Sequence, residues 1–126
     1  MTDEALSDYL QSIGGLINGF KPTSSPIIES RFFQTGKGWN QLIYNLIRDL
    51  MELGWDKTVF QVKEKFGGLC FYVGTSSPEI LDRISQATRE SYTICEVTGS
   101  PGKLRKDIGW WKTLCDSEYN IKKEKL

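Results

Sequence analysis

Histidine is absent from this sequence of 126 residues. Histidine is the commonest general base near neutral pH and the commonest metal ligand, so its absence excludes histidine-dependent triads and histidine-rich metal sites. Cysteine is scarce too: Cys70, Cys95 and Cys115 make an odd number, which argues against a disulfide framework. A cysteine nucleophile would need activation by lysine or a carboxylate, and no cofactor motif is present. We therefore expect a protein without enzymatic activity.

Long hydrophobic runs are also missing, and the longest apolar stretches fall far short of a membrane-spanning helix. The acidic N-terminus lacks the basic start and apolar segment of a signal peptide, so we expect a soluble cytoplasmic protein without a membrane partner. Basic and acidic residues number 16 each, which gives a formal net charge of zero. No general attraction to nucleic acid follows from that balance, although the segment from Lys103 onward is mildly basic.

Apolar residues recur at helical spacing in three segments, which predicts three helices. Gly54 follows the second segment as a C-terminal cap, and Ser77 with Pro78 opens the third. The inner face of the third helix is expected to include Leu81. The first predicted helix carries its apolar stripe as far as Ile17, with an end frayed by two glycines. The predicted helices cover residues 6–17, 39–53 and 77–91.

Two stretches, residues 58–64 and 69–73, alternate polar with apolar side chains and predict the strands of a β-hairpin. Residues 65–68 between them predict a tight turn, because they lack the spacing and the following helix of a phosphate-binding loop. With the helices, the hairpin predicts an α+β fold: one domain over residues 1–120, in which helices pack on an antiparallel sheet. Residues 121–126 are expected to form a disordered basic tail.

A long segment without a helix pattern covers residues 21–38. Its apolar side chains either fold onto the core or form a docking ridge, and their hydrophobicity favours the core. They are Ile27, Ile28, Phe32 and Phe33.

Four residues near the C-terminus have the spacing of a structural zinc site. Cys95 and Thr98 form one pair with two residues between them, Cys115 and Glu118 form the other, and sixteen residues separate the pairs. Thr98 is a poor zinc ligand, and a carboxylate such as Glu118 seldom completes a structural thiolate site. We therefore expect a degenerate zinc knuckle that holds no metal and is maintained by packing; bound zinc is the less favoured alternative.

Candidate binding residues occur in the hairpin and in the knuckle. Lys63 and Lys65 of the hairpin form a possible partner-facing edge, although a solvated strand face is the simpler interpretation. Trp110 and Trp111 are expected to place one ring in the core and the other on the surface as an anchor, and tryptophan and arginine are enriched in interface hot spots. The candidate partner-binding residues are Lys63, Lys65, Arg105, Trp110, Trp111 and Lys112.

Three runs of this sequence resemble a family of small uncharacterised proteins common in phages, prophages and bacterial accessory regions. They are residues 61–73 with Lys-Glu-Lys-Phe-Gly, residues 94–105 with Gly-Ser-Pro-Gly-Lys-Leu-Arg, and residues 109–118 with Gly-Trp and a cysteine. The resemblance covers residues 39–118. The chain departs from the family pattern at Thr98 and Glu118, where a second cysteine and a final cysteine or histidine are typical. The resemblance implies the fold and a setting of conflict between phage, host and competitor, and it offers no enzymatic activity that could be transferred to this chain.

The first functional hypothesis is a non-enzymatic inhibitor or immunity-type module that neutralises a toxin or defence enzyme. The lack of catalytic motifs, the small size and the resemblance favour it. The second is a nucleic-acid-binding accessory protein, in which the two tryptophans stack on bases and nearby basic side chains contact phosphates, but the balanced charge argues against it. The residues of this hypothesis are Trp110, Trp111, Lys103, Arg105, Lys106 and Lys112. The third is an oligomeric structural protein of a phage particle.

Overall fold

The structure is a computed structural model that describes residues 1–17 and 32–126. Helices and short strands share this part of the chain, which confirms the predicted α+β fold. The helices are α1 (Asp3–Ser12), α2 (Asn40–Glu52), α3 (Pro78–Ser91) and α4 (Asp116–Glu124). The strands are β1 (Leu16–Ile17), β2 (Phe33–Gln34), β3 (Thr58–Val59), β4 (Gln61–Lys65), β5 (Gly68–Tyr72), β6 (Lys103–Arg105) and β7 (Lys112–Leu114).

The helix α2 lies at the centre of the main hydrophobic core. Its apolar stripe is buried as far as Leu50, as the helical spacing predicts, whereas Leu53, expected at the end of the stripe, follows the helix and is 42% exposed. Gly54 adopts a φ of 83°, and the Trp55 N–H donates to the Leu50 carbonyl at 3.0 Å, which closes the helix where the sequence predicts its end. The buried residues of α2 are Asn40, Leu42, Ile43, Leu46, Ile47 and Leu50.

The helix α1 is shorter than predicted. Gly14 has a φ of 82°, and the Gly15 N–H donates to the Leu10 carbonyl at 2.9 Å, so the helix stops there. Ile17 belongs instead to β1, which pairs in parallel with β3 and places Ile17 opposite Val59. The prediction that Ile17 continues the helical stripe is wrong, because the left-handed glycine turns the chain out of the helix.

The predicted hairpin is confirmed, with β4 and β5 antiparallel and Lys65 opposite Gly68. The strand β2 adds to it in parallel, with Phe33 opposite Val62, so the sheet is mixed and not purely antiparallel. Phe33 is buried and Phe32 packs against the core, which confirms the core interpretation for these two side chains. The predictions for Ile27 and Ile28 lie outside the described residues.

The helix α3 begins as predicted, because the Ser77 hydroxyl accepts a hydrogen bond from the Ile80 N–H at 3.3 Å. Its inner face packs against β5, and the Leu69 N–H donates to the Ser91 hydroxyl at 2.9 Å. Leu81 was expected on this face but is 47% exposed. The neighbouring Ile80 takes the inward position, and the turn of about 100° per residue directs Leu81 outward.

The C-terminal part forms a smaller unit around β6 and β7, with Cys95, Ile108 and Leu114 as its buried cluster. The structure differs from the predicted disordered tail over residues 121–126, since α4 continues to Glu124 with exposed side chains. Carboxylates in the first turn and lysines in the last turn of α4 suit the helix dipole, which explains the added turns. Across the described residues, no helix is both long and apolar enough to cross a membrane.

Candidate partner-binding surface

Phe66 occupies an unusual position in the turn between β4 and β5. Only Phe66 and Gly67 connect the two strands, and their φ angles are 52° and 84°. Positive φ at both central residues is the requirement of a type I′ turn, which favours asparagine, aspartate or glycine. For a phenylalanine this conformation costs about 1–2 kcal/mol. The ring is 66% exposed, so burial does not offset that cost.

Trp110 and Trp111 lie beside this turn, just before β7. Their side chains are 80% and 44% exposed. The prediction that one of the two rings enters the core is wrong, because Cys95, Ile108 and Leu114 already fill the small core of the knuckle. The Phe66 and Trp111 rings instead meet edge to face, with centroids 6.3 Å apart.

Phe66, Trp110 and Trp111 together form what we call the aromatic surface. Two clefts open on it. The first has a volume of about 390 Å³, and the second, of about 540 Å³, is lined by the three aromatic residues and Gly109. Contiguous exposed apolar patches on soluble proteins often mark interaction sites. The first cleft is lined by Glu64, Lys65, Phe66, Trp110, Trp111 and Lys112.

Lys112 joins the aromatic surface to the rest of the protein through an ion-pair network. Its ammonium lies 2.8 Å from a Glu64 oxygen and 3.4 Å from an oxygen of the buried Glu96. Burial alone would lower the pKa of Lys112, but the hydrogen bond to Glu64 and the charge of Glu96 outweigh burial and raise it. The other oxygen of Glu64 accepts a hydrogen bond from the Gly67 N–H at 3.1 Å, and the other oxygen of Glu96 accepts one from the Gly36 N–H at 3.0 Å. The positive charge of Lys112 is therefore neutralised by carboxylates of the protein itself.

The turn is also fixed directly to β7. The Thr113 hydroxyl, which is fully buried, donates to the Gly67 carbonyl at 2.7 Å. A Cβ atom on Gly67 would lie 2.4 Å from a methyl group of Leu104, so the turn fits tightly against β6. The turn that carries Phe66 is thus held against the strands beside Trp111 before any partner arrives, and such preorganisation reduces the entropy lost on binding.

Two lysines at the aromatic surface keep their charge available. The Lys106 ammonium lies 4.4 Å above the centroid of the Trp111 ring, and the Lys65 ammonium lies 5.8 Å from the centroid of the Phe66 ring. Neither lysine forms an ion pair with any carboxylate of residues 1–17 or 32–126. Both side chains are exposed.

The predicted partner-binding residues separate into two groups. Lys65, Trp110, Trp111 and Lys112 line the same cleft. Arg105 and Lys63 do not line it. Arg105 pairs with Asp116 at 2.7 Å and stacks on Tyr119, and the Lys63 ammonium lies 5.9 Å from the Tyr72 ring centroid.

Phe66 and Lys106 were missing from the predicted partner-binding residues. A signal for Phe66 was present in the sequence, because an aromatic residue stands before Gly67 where a two-residue turn favours asparagine or aspartate. Lys106 was named only among the basic residues of the nucleic-acid hypothesis, because its position over Trp111 depends on how the chain turns between β6 and β7.

The knuckle brings three of the four zinc-spaced residues together. The Thr98 hydroxyl lies against the sulfur atoms of both cysteines, and its distance to the Cys115 sulfur is 3.7 Å. Burial would raise the pKa of the Cys95 thiol, but the Thr98 hydroxyl and the N–H groups of Cys115, Thr98 and Val97 lower it. Glu118 lies in the first turn of α4. Within the described ranges, no group of three or more cysteine or carboxylate side chains is placed to hold a metal.

Comparison of the chain with protein-family models, curated proteins and solved structures gives no match. The resemblance to phage and prophage proteins therefore stays a prediction. The function has to be inferred from the chemistry of the aromatic surface itself.

Proposed function

We propose that this chain is a non-enzymatic protein-binding module of the inhibitor or immunity type. In this proposal it works in the cytoplasm, where it docks its aromatic surface on a toxin or defence enzyme and blocks it. The observation that carries the proposal is Phe66, an exposed aromatic ring held in a backbone conformation that phenylalanine disfavours. Strain of this kind clusters at functional sites, where the surrounding structure enforces it as part of the mechanism.

The composition of the surface supports a protein partner. Large aromatic side chains dominate the binding energy of protein interfaces, and they act best when they are central and water is excluded around them. Trp110 borders both clefts and is the most exposed of the three rings, so it is the expected anchor. The network through Lys112 and the bond from Thr113 to Gly67 hold the turn that carries Phe66 against β7.

Co-purification of the full chain from its host cell, followed by mass spectrometry, tests the proposal. We expect a protein to be recovered in stoichiometric amount and an activity of that protein to be inhibited by the chain. Trp110→Ala should abolish both effects. Leu81→Ala is the matched control, because Leu81 is an exposed apolar side chain on α3 that lines neither cleft. Recovery of no partner, or equal recovery with Trp110→Ala, would contradict the proposal.

Nucleic-acid binding is the second candidate, and one observation favours it. Trp110 offers an open ring for base stacking, while Lys106 and Lys65 beside it carry charge that no described carboxylate neutralises. Two free lysines supply few phosphate contacts, which is why this candidate ranks second. Fluorescence anisotropy with single-stranded DNA and RNA at low salt checks it. A complex that Trp110→Ala removes would support it, and no complex at low salt ends it.

A further inference from the structure

We infer that the aromatic surface recognises an acidic protein segment, in which carboxylates flank a bulky apolar side chain. This inference rests on the proposed function and specifies its partner. It follows from which charges at the surface are already neutralised and which are still available.

The carboxylates near the aromatic surface are saturated by contacts within the protein. One oxygen of Glu64 pairs with Lys112 and the other accepts the Gly67 N–H. Glu96 is likewise shared between Lys112 and the Gly36 N–H. Asp107, the residue after Lys106, accepts the Tyr119 hydroxyl and lies 4.0 Å from Lys123, so its charge is directed toward α4.

The available charges at this surface are therefore positive. Lys65 stands next to Phe66 and lines the first cleft, and Lys106 lies over Trp111. Among the residues that the structure describes, neither is paired with a carboxylate. A partner that presents carboxylates to these two lysines gains complementary charge, and exclusion of water by the rings strengthens that attraction.

The centre of the surface is apolar and is formed by the rings of Phe66, Trp110 and Trp111. The cleft of about 540 Å³ is lined by the three aromatic rings and Gly109, and the cleft of about 390 Å³ is lined by the same rings with three charged residues. A leucine, methionine or aromatic side chain suits the larger cleft, because aromatic rings and a glycine line it. The lysines at the margin and the apolar centre together specify an apolar residue with acidic neighbours.

Display selection of random linear peptides on the purified full chain tests the inference. We expect enriched peptides to carry aspartate or glutamate on both sides of an aliphatic or aromatic residue. Binding of a synthetic consensus peptide would be followed by tryptophan fluorescence. Trp110→Ala should weaken it at least about tenfold. Lys65→Gln with Lys106→Gln should weaken it about three- to tenfold and reduce its salt dependence.

Lys63→Gln is the matched control, because Lys63 lies on β4 but lines neither cleft. It should leave binding unchanged, and circular dichroism should show that all variants are folded. Selected peptides that need Trp110 but lack acidic residues would overturn the inference and leave the proposed function intact. If no peptide needs Trp110, the inference fails, and the co-purification decides the proposed function separately. Two other results in place of peptide binding would also overturn the inference. One is a complex with random single-stranded RNA that depends on Trp110, and the other is a dimer in sedimentation that depends on Trp110.

Discussion

The Phe66 ring meets the Trp111 ring edge to face, with 6.3 Å between their centroids. One residue comes from the turn of the β4–β5 hairpin and the other from the segment that leads into β7. The contact therefore ties the main sheet to the knuckle at the surface, and the buried hydrogen bond from Thr113 to Gly67 joins the same two units in the interior. Both units contribute to one binding surface, so changes in either should be felt there.

Phe66→Asn should stabilise the protein and weaken partner binding at once. Asparagine adopts positive φ more readily than phenylalanine, so we expect the free energy of unfolding to rise by about 1 kcal/mol. Urea denaturation measures the first effect, and the consensus peptide measures the second. Phe66→Ala is the control: it also removes the ring but keeps a disfavoured residue at φ 52°, so it should weaken binding without comparable stabilisation. Destabilisation by Phe66→Asn would contradict the strain argument.

Lys112→Ala should destabilise the fold more than removal of a surface lysine. It leaves the buried Glu96 carboxylate without its cationic partner, which we expect to cost about 1–3 kcal/mol. Lys106→Ala is the comparison, since that exposed lysine makes no ion pair in the described part of the chain, and its effect should stay within about 0.5 kcal/mol. Thermal unfolding followed by circular dichroism distinguishes the two. Equal effects would mean that the network contributes little.

Gly38→Ala should be among the most damaging single changes. A Cβ atom on Gly38 would lie 2.3 Å from the Cys95 carbonyl oxygen and 2.5 Å from that of Glu96, and neither backbone atom can move easily. We expect a loss of about 3 kcal/mol or a failure to fold. Gly54→Ala is the comparison that separates this clash from backbone strain. Gly54 has a φ of 83° but no atom near a new Cβ, so we expect its substitution to lower the free energy of unfolding by only about 1 kcal/mol. Similar losses for both would argue against the close approach.

Acid should weaken the attachment of α4. A hydrogen bond from Tyr119 lowers the pKa of Asp107, and one from Arg105 lowers that of Asp116, both from an ordinary 3.8. Because the folded-state pKa values are depressed, their stabilisation is present above pH 3.8 and is lost as the pH falls through the lowered values. Urea midpoints measured from pH 6 to pH 2 should fall less steeply in this range for Asp107→Asn with Asp116→Asn. An unchanged slope would contradict the assignment.

Freshly purified protein should contain no stoichiometric zinc, and a chelator should leave its melting temperature unchanged. The Thr98 hydroxyl stands against both cysteine sulfurs where a zinc site would need further thiolate or imidazole ligands. Metal analysis by mass spectrometry checks this. About one equivalent of zinc, lost together with stability on chelation, would show that the degenerate positions still bind metal.

Local signals accounted for most of the elements that the sequence predicted correctly. Gly54 and Ser77 each act within one helix turn, and Gly67 acts within a two-residue loop, so their effects do not depend on the rest of the chain. The prediction for Ile17 was wrong for the opposite reason. Its place in β1 depends on pairing with Val59, a contact that spacing alone does not reveal.

The candidate site was predicted only in part, because its charges are distributed by distant contacts. Arg105 and Lys112 are basic residues near two tryptophans, and nothing in the local sequence shows that Asp116 and Glu64 neutralise them. The same limit applies to Gly38, whose packing against the Cys95 carbonyl joins segments far apart in the chain. Trp110 could be singled out from the sequence, but its exposure could not.

The conformation of Phe66 has an evolutionary consequence. Selection for stability alone would favour asparagine, aspartate or glycine at this position. The phenylalanine should therefore be replaced wherever no partner binds it. Descendants of this gene that have lost their target are therefore expected to lose the ring of Phe66 early, while Gly67 and the threonine that anchors it persist for the sake of folding. The residue in this turn would then indicate which lineages still meet the partner.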